Sequence, residues 1–164
     1  MAMQGEGTTG LAQLRQGLAA LLAIGQERER PLCPALLAEA AGYVGQIEEG
    51  LCLLAEAHTL VEQHEERWWE AEVYRLRGVI LLRQTGTPQA EAEAWLQRAL
   101  DVARRQEAKA LELRAAMSLS RLWQQQGKQA EARALLAPIY GWFTEGFDTA
   151  DLQDARALLA ELEG

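Results

Sequence analysis

Positive charge is scarce in this chain of 164 residues. Sixteen lysines and arginines face 24 aspartates and glutamates, for a net charge of −8. Phosphate backbones demand a concentrated positive field, so nucleic acid is excluded as the main partner, although a local basic groove is not. Val, Ile, Thr and Phe are few, which argues against a sheet. Cys33 and Cys52 are the two cysteines, with neither CxxC spacing nor a disulfide framework, and read as buried thiols. Without an apolar run near ~20 residues, no membrane span is expected. The opening Met-Ala-Met-Gln-Gly-Glu-Gly-Thr-Thr lacks the basic and apolar regions of a signal peptide. A cytoplasmic setting follows as the expectation, with residues 1–7 as a disordered terminus.

Groups for chemistry are equally thin. The histidines are His58 and His64, about 240° apart around a helix, so they cannot chelate one ion together. No HExxH pattern, Ser/His/Asp set or Cys/His set can be assembled, and packing or surface roles are expected for both. Glu48-Glu49, Glu65-Glu66, Glu70/Glu72 and Glu91/Glu93 read as solvated faces and first helical turns, where anions suit the helix dipole. Gly127-Lys128 lacks the upstream glycine and following Ser or Thr of a phosphate loop. Catalysis, a metal and a cofactor are all unexpected.

What the chain has is Ala, Leu, Glu, Gln and Arg, the vocabulary of helices. A first helix is predicted from a cap at Thr8 or Thr9 to about Ile24, burying Leu11, Leu14, Leu18 and Leu21. Gln26 to Arg30 is a connector, and Pro31 suits the first turn of a second helix to residue 43, with Leu36, Leu37 and Ala41 apolar. The third runs from Ile47 to about His64, and the fourth carries Trp69, Val73, Leu76, Ile80 and Leu81. Thr87 caps the fifth, with Pro88 at its first position. The sixth spans about 108 to 126, and the seventh runs from Gln129 to about Tyr140, where Pro138 should kink it or end it early. Asp148 caps a last helix whose inner stripe is Leu152, Ala155, Leu158, Leu159 and Leu162.

A repeat runs through these helices. Small–large–small triplets stand at Gly10/Leu14/Gly17, Gly50/Leu54/Ala57, Ala92/Leu96/Ala99 and Ala132/Leu136/Ile139, with first members 40, 42 and 40 residues apart. Turn glycines at Gly45, Gly86 and Gly127 fall at separations of 41. A fixed period of this kind signals stacked helical hairpins.

On these residues the chain resembles the tetratricopeptide repeat family. That family wants small residues at the eighth, twentieth and twenty-seventh places of each unit. The eighth is Ala38, Gly78 and Ser120 here, and the triplets supply the others. The period exceeds the family's ~34 residues, and Ile139 replaces a small residue. The run from AEAWLQRALDVARRQ through LRAAMSLSRLWQQQGK to LLAPIYGWFTEGFDTADLQDARALL is similar to the C-terminal end of bacterial multidomain signalling proteins that join a nucleotide cyclase or other output domain to an AAA-type ATPase. The resemblance covers about residues 8 to 163. It implies an all-α right-handed superhelix of about eight helices, with an array over 8–147 and a capping helix over 148–164. It also implies a regulatory, non-catalytic role in protein–protein interaction.

By the same resemblance, the first helix of each unit lines a concave face. Its outward positions map onto Glu39 and Tyr43, then Glu72, Arg75, Val79, Leu82 and Arg83, then Arg114, Met117, Arg121 and Gln124. Arg75 and Arg83, and Arg114 and Arg121, share helix faces. Four arginines so placed imply a groove for an acidic peptide or a C-terminal carboxylate, held by bidentate hydrogen bonds. The competing reading pairs them with Glu39, Glu72 and other neighbours. Two rivals to a peptide groove stand: a homodimer through the first helix, whose partner helix is missing, and a small-molecule sensor on the concave face. Trp69, Trp95 and Trp123 fall on apolar stripes, Trp68 points to solvent or a partner, and Trp142, Phe143 and Phe147 are expected to anchor the last loop.

Overall fold

Two local requirements build the molecule: helices that cross closely need small residues, and tight turns need a left-handed one. The computed structural model describes residues 2–23, 32–63 and 67–163. Among them run eight helices and no strand: α1 (Ala2–Ala23), α2 (Leu32–Tyr43), α3 (Ile47–Gln63), α4 (Glu70–Leu81), α5 (Gln89–Arg105), α6 (Lys109–Gln125), α7 (Gln129–Tyr140) and α8 (Ala150–Glu161). The pairs α2–α3, α4–α5 and α6–α7 are hairpins. Helix α8 packs on α6 and α7 as the first half of a further unit would. The first helices also touch one another, α2 to α4, α4 to α6 and α6 to α8. No comparable contact joins α3 to α5 or α5 to α7 among the described residues. The array therefore curves toward α2, α4, α6 and α8, which form its inner wall.

The turns repeat in detail. Gly45, Gly86 and Gly127 all have positive φ (82°, 86° and 76°), a conformation glycine adopts without steric cost. At Gly45 the helix closes by the Gln46 amide donating to the Ala41 carbonyl (2.9 Å), and at Gly127 by the Lys128 amide donating to the Trp123 carbonyl (2.8 Å). These are Schellman closures. A third occurs between units, where Ala108 donates to Ala103 (2.9 Å) and Glu107 fills the left-handed position at φ 55°.

The crossings repeat as well. A Cβ on Gly50 would stand 3.2 Å from the Ala38 carbonyl; one on Gly78 would stand 2.7 Å from Leu96 Cγ and 3.0 Å from the Ala92 carbonyl. In the third hairpin Ser120 Oγ donates to the Ala132 carbonyl at 3.1 Å. Thus the eighth-place residue of each first helix meets the leading triplet residue of its partner. Around these crossings lie two main cores, one with Leu54, Val61, Val73, Leu76 and Ile80, the other with Leu96, Leu113, Leu119, Leu122, Leu136, Leu152 and Leu158. Each such side chain contributes about 1.5–3 kcal/mol on burial. Tyr74 packs against both.

Several sequence expectations need correction. Helix α1 begins at Ala2, so residues 2–7 of the expected disordered terminus are helical and Thr8 and Thr9 lie inside the helix; Ala, Met, Gln and Glu carry a helix without a cap. Its triplet is not packed: Gly10 and Gly17 are exposed with nothing near them, and Leu14 and Leu18 are half-exposed. Leu11 alone of its expected stripe is shown buried, and Arg15 pairs with Glu49. The cap of α5 is Pro88 rather than Thr87, whose hydroxyl instead donates to Gln84. The cap of α8 is Thr149 rather than Asp148.

Helix α7 continues through Pro138, because that proline is near the end and only the exposed Ala134 carbonyl loses its donor. Leu36 and Leu37 are half-buried, and Cys52 is exposed while Cys33 is buried. Phe143 packs on the core, but Trp142 is 58% exposed, with the Lys109 ammonium 5.6 Å from its ring centroid, and Phe147 meets Tyr140 edge-on. The Gln26–Arg30 connector, Pro31, His64, Glu65 and Glu66, and the side chain of Leu21, lie outside the described residues.

Two glycine substitutions separate packing from helix propensity. Gly17→Ala meets open space and should stabilise by up to about 1 kcal/mol. Gly78→Ala forces α4 and α5 apart and should destabilise by about 1–3 kcal/mol despite the same propensity gain. Urea unfolding of both variants checks this, and effects of equal sign would contradict the crossing geometry.

A candidate binding groove on the inner helices

Helices α2, α4 and α6 enclose a cleft of about 370 Å³. Leu76, Ile80 and Leu122 form its floor; Val79 and Leu82, half-buried, complete the apolar lining. Polar groups ring it: Glu39 and Tyr43 from α2, Arg75 and Arg83 from or just beyond α4, and Ser118, Arg121 and Gln125 from α6. Regular helix spacing explains the arrangement, since residues 75, 79, 82 and 83, and 118, 121, 122 and 125, are steps of three and four along one face.

The four expected arginines divide into two kinds. Arg75 is buried and donates twice to Glu72, Nε to Oε2 and Nη2 to Oε1, both at 2.8 Å. It also reaches Glu39 Oε1 and Ser118 Oγ, each at 3.4 Å. Glu72 is itself buried and takes a third contact from Arg114 Nη1 at 2.8 Å, while Arg114 Nε lies 3.6 Å from Asp151. Burial by itself would lower the Arg75 pKa; the hydrogen bonds and charge of Glu72 and Glu39 outweigh it and raise that pKa above the ordinary value. For Arg75 and Arg114 the pairing alternative therefore holds. Glu70 and Glu72 are not the solvated first-turn carboxylates expected of them: both are buried, Glu70 paired with Arg67 in the preceding turn and Glu72 with Arg75 of its own helix and Arg114 of α6.

Arg83 and Arg121 are of the second kind. Arg83 Nη1 donates to the Gly42 carbonyl at 2.8 Å, and its guanidinium lies 4.9 Å from the Tyr43 ring centroid. Tyr43 is 72% exposed. Arg121 is exposed and has no hydrogen-bond or ion-pair partner among the described residues. The cleft thus offers an apolar floor, a fixed guanidinium beside an open phenol ring, and an uncommitted guanidinium.

Of the expected lining residues, Glu39, Tyr43, Arg75, Val79, Leu82, Arg83 and Arg121 come together here. Met117 is buried in the α5–α8 core, and Gln124 turns toward α8, where its Nε2 is 3.5 Å from Glu161. Gln125 takes the place expected for Gln124, and Ser118 that of Met117. Each displacement is one residue, or about 100° of helix rotation, the error of mapping a repeat of ~34 residues onto longer units.

Other candidates resolve as packing. Trp123 Nε1 donates to Glu93 at 2.8 Å, and His58 Nε2 stands 3.1 Å from the Tyr74 hydroxyl. Burial pushes the Glu112 carboxyl up, but hydrogen bonds from Lys109 and Arg104 prevail and hold it below its usual value. Among the described residues no group of three His, Cys, Asp or Glu side chains is gathered as a metal site requires, and no helix is long and apolar enough to cross a membrane. No family model, curated protein or solved structure matches the chain.

Removing Glu72 leaves Arg75 and Arg114 without their shared carboxylate. Glu72→Ala should cost about 3–5 kcal/mol, the usual penalty for stranding a buried charge. A fall in melting temperature of at least about 6 °C is expected by calorimetry. A fall below about 2 °C would mean that the network contributes nothing.

Proposed function

We propose that this chain is a non-catalytic repeat module of the tetratricopeptide type. Its inner groove takes an extended, acidic segment of another protein. Arg121 supports this reading most directly: an exposed guanidinium with no hydrogen-bond or ion-pair partner among the described residues stands at the edge of an apolar-floored cleft in a chain of net charge −8. A large apolar side chain fits over Val79 and Leu82, and a neighbouring carboxylate can then meet Arg121 and the outer edge of Arg83. Bidentate guanidinium–carboxylate pairing supplies orientation, and the desolvated apolar floor supplies affinity. A regulatory region of a bacterial signalling protein is the setting that the sequence resemblance favours.

Displayed random peptides test the groove. Panning on the wild-type chain should enrich sequences that place Asp or Glu beside Leu, Phe or Trp. The variant Arg83→Glu with Arg121→Glu should bind those peptides at least about tenfold more weakly, one lost charged hydrogen bond being worth about that much. Arg75 is unsuitable for this purpose because its charge is structural. No enrichment, or equal binding by the variant, would remove the groove.

A second reading rests on α1, where Gly10, Leu14, Gly17 and Leu18 leave a flank open to solvent. A second copy covering this flank would make a homodimer, as self-complementary surfaces do. Sedimentation equilibrium should then show a dimer that Leu14→Arg with Leu18→Arg converts to monomer. A wild-type monomer at all concentrations would end this reading.

A further inference from the structure

The side of the α4–α5 hairpin away from the groove carries a second cleft, about 670 Å³, lined by Glu70, Tyr74, Arg98, Asp101, Arg104 and Arg105. It shares no lining residue with the inner groove. Three guanidiniums meet two carboxylates here, and the engaged groups can be set aside. Glu70 is buried and accepts from Arg67 Nη2 and the Tyr74 hydroxyl, both at 3.1 Å. Arg104 Nε donates to Glu112 at 3.0 Å.

What remains is Arg98 and Arg105, both exposed and without a hydrogen-bond or ion-pair partner among the described residues, with Asp101 as the countercharge between them. Seven residues separate the two arginines, so they stand on one side of α5, about 10 Å apart along its axis. Their side chains can converge across that distance.

Arg98 is also held in place. Its guanidinium lies 4.8 Å from the Trp95 ring centroid, and that of Arg77 lies 4.2 Å from the same centroid. Stacking occupies the face of a guanidinium and leaves its N–H edge available for an anion. Two cations on one indole repel each other, and a bound anion would offset that repulsion. A carboxylate is satisfied by a single guanidinium fork, whereas a tetrahedral dianion has oxygens for two.

We infer that this outer cleft binds phosphate, free or as a phosphate monoester, through Arg98 and Arg105, with the Tyr74 ring walling the group that the phosphate carries. The inference is independent of the peptide groove and stands if the groove fails.

Isothermal titration of the whole chain tests it at a pH where phosphate is a dianion, with three probes: inorganic phosphate, a phosphoserine tripeptide and acetate. Saturable binding of both phosphates and none of acetate is expected. Arg98→Gln with Arg105→Gln should weaken phosphate binding by about tenfold or more at an unchanged melting temperature, whereas Arg121→Gln in the inner groove should leave it unaltered. Tighter binding of the tripeptide than of inorganic phosphate assigns the site to a phosphorylated protein, and equal affinity assigns it to free phosphate. Absence of saturation with both phosphates, acetate binding as tight as phosphate, or an undiminished double variant would each overturn the proposal.

Discussion

Gly78 faces Leu96 with no side chain of its own, and a methyl group there would sit within 3 Å of the leucine. That closeness sets the spacing of α4 and α5. Ala38 against Gly50 and Ser120 against Ala132 set it for the hairpins on either side. Helices that approach this nearly interlock along their i±4 and i±3 ridges, which limits their crossing angle. Three hairpins of similar shape can then stack in a regular row. The inner wall and its cleft follow from that regularity: the groove residues come from helices that never share a hairpin, so only the stacking brings them together.

Along that wall the hairpins are joined by charge rather than by apolar packing alone. Glu39 of α2, Arg75 and Glu72 of α4, Arg114 of α6 and Asp151 of α8 form a row of alternating sign that touches all four inner helices. A buried ion pair often adds little net stability over an apolar substitute, because desolvation offsets much of the attraction. Its directional demands are another matter. A slip of one inner helix by a single turn would separate the pairs it makes with its neighbours, so the arrangement selects one register among the several that Ala- and Leu-rich faces would tolerate.

Much of this architecture was legible in the sequence. The triplets and the turn glycines repeat because each hairpin poses the same local problem, and period 41 at Gly45, Gly86 and Gly127 is visible without coordinates. Which residues face the groove was less legible. Met117 and Gln124 each lie one position from a residue that does, since a mapping borrowed from shorter repeats accumulates rotation along longer helices. The burial of Glu70, Glu72 and Glu112 was hidden too: each has a basic neighbour three residues away, as a solvated pair would, and the second cations that Arg114 brings to Glu72 and Arg104 to Glu112 come from other helices. The loose seating of α1 was not legible either, because its triplet is spelled like the others although Gly10 and Gly17 meet nothing within 4 Å. Composition left room for a local basic groove without placing one, and the outer cleft gathers Arg98, Arg104 and Arg105 along α5.

Glu107 occupies the left-handed place that glycine fills in the turns within hairpins, and it does so at the seam between two units. The closure there has the same bonds as the closures at Gly45 and Gly127. A seam built to the same pattern as the internal turns is interchangeable with them in geometry. The array can therefore grow or shrink by whole cassettes at such a joint: a hairpin spliced in after Glu107 would add one more rung to the inner wall, lengthening the surface available to a ligand while leaving the existing hairpins as they are.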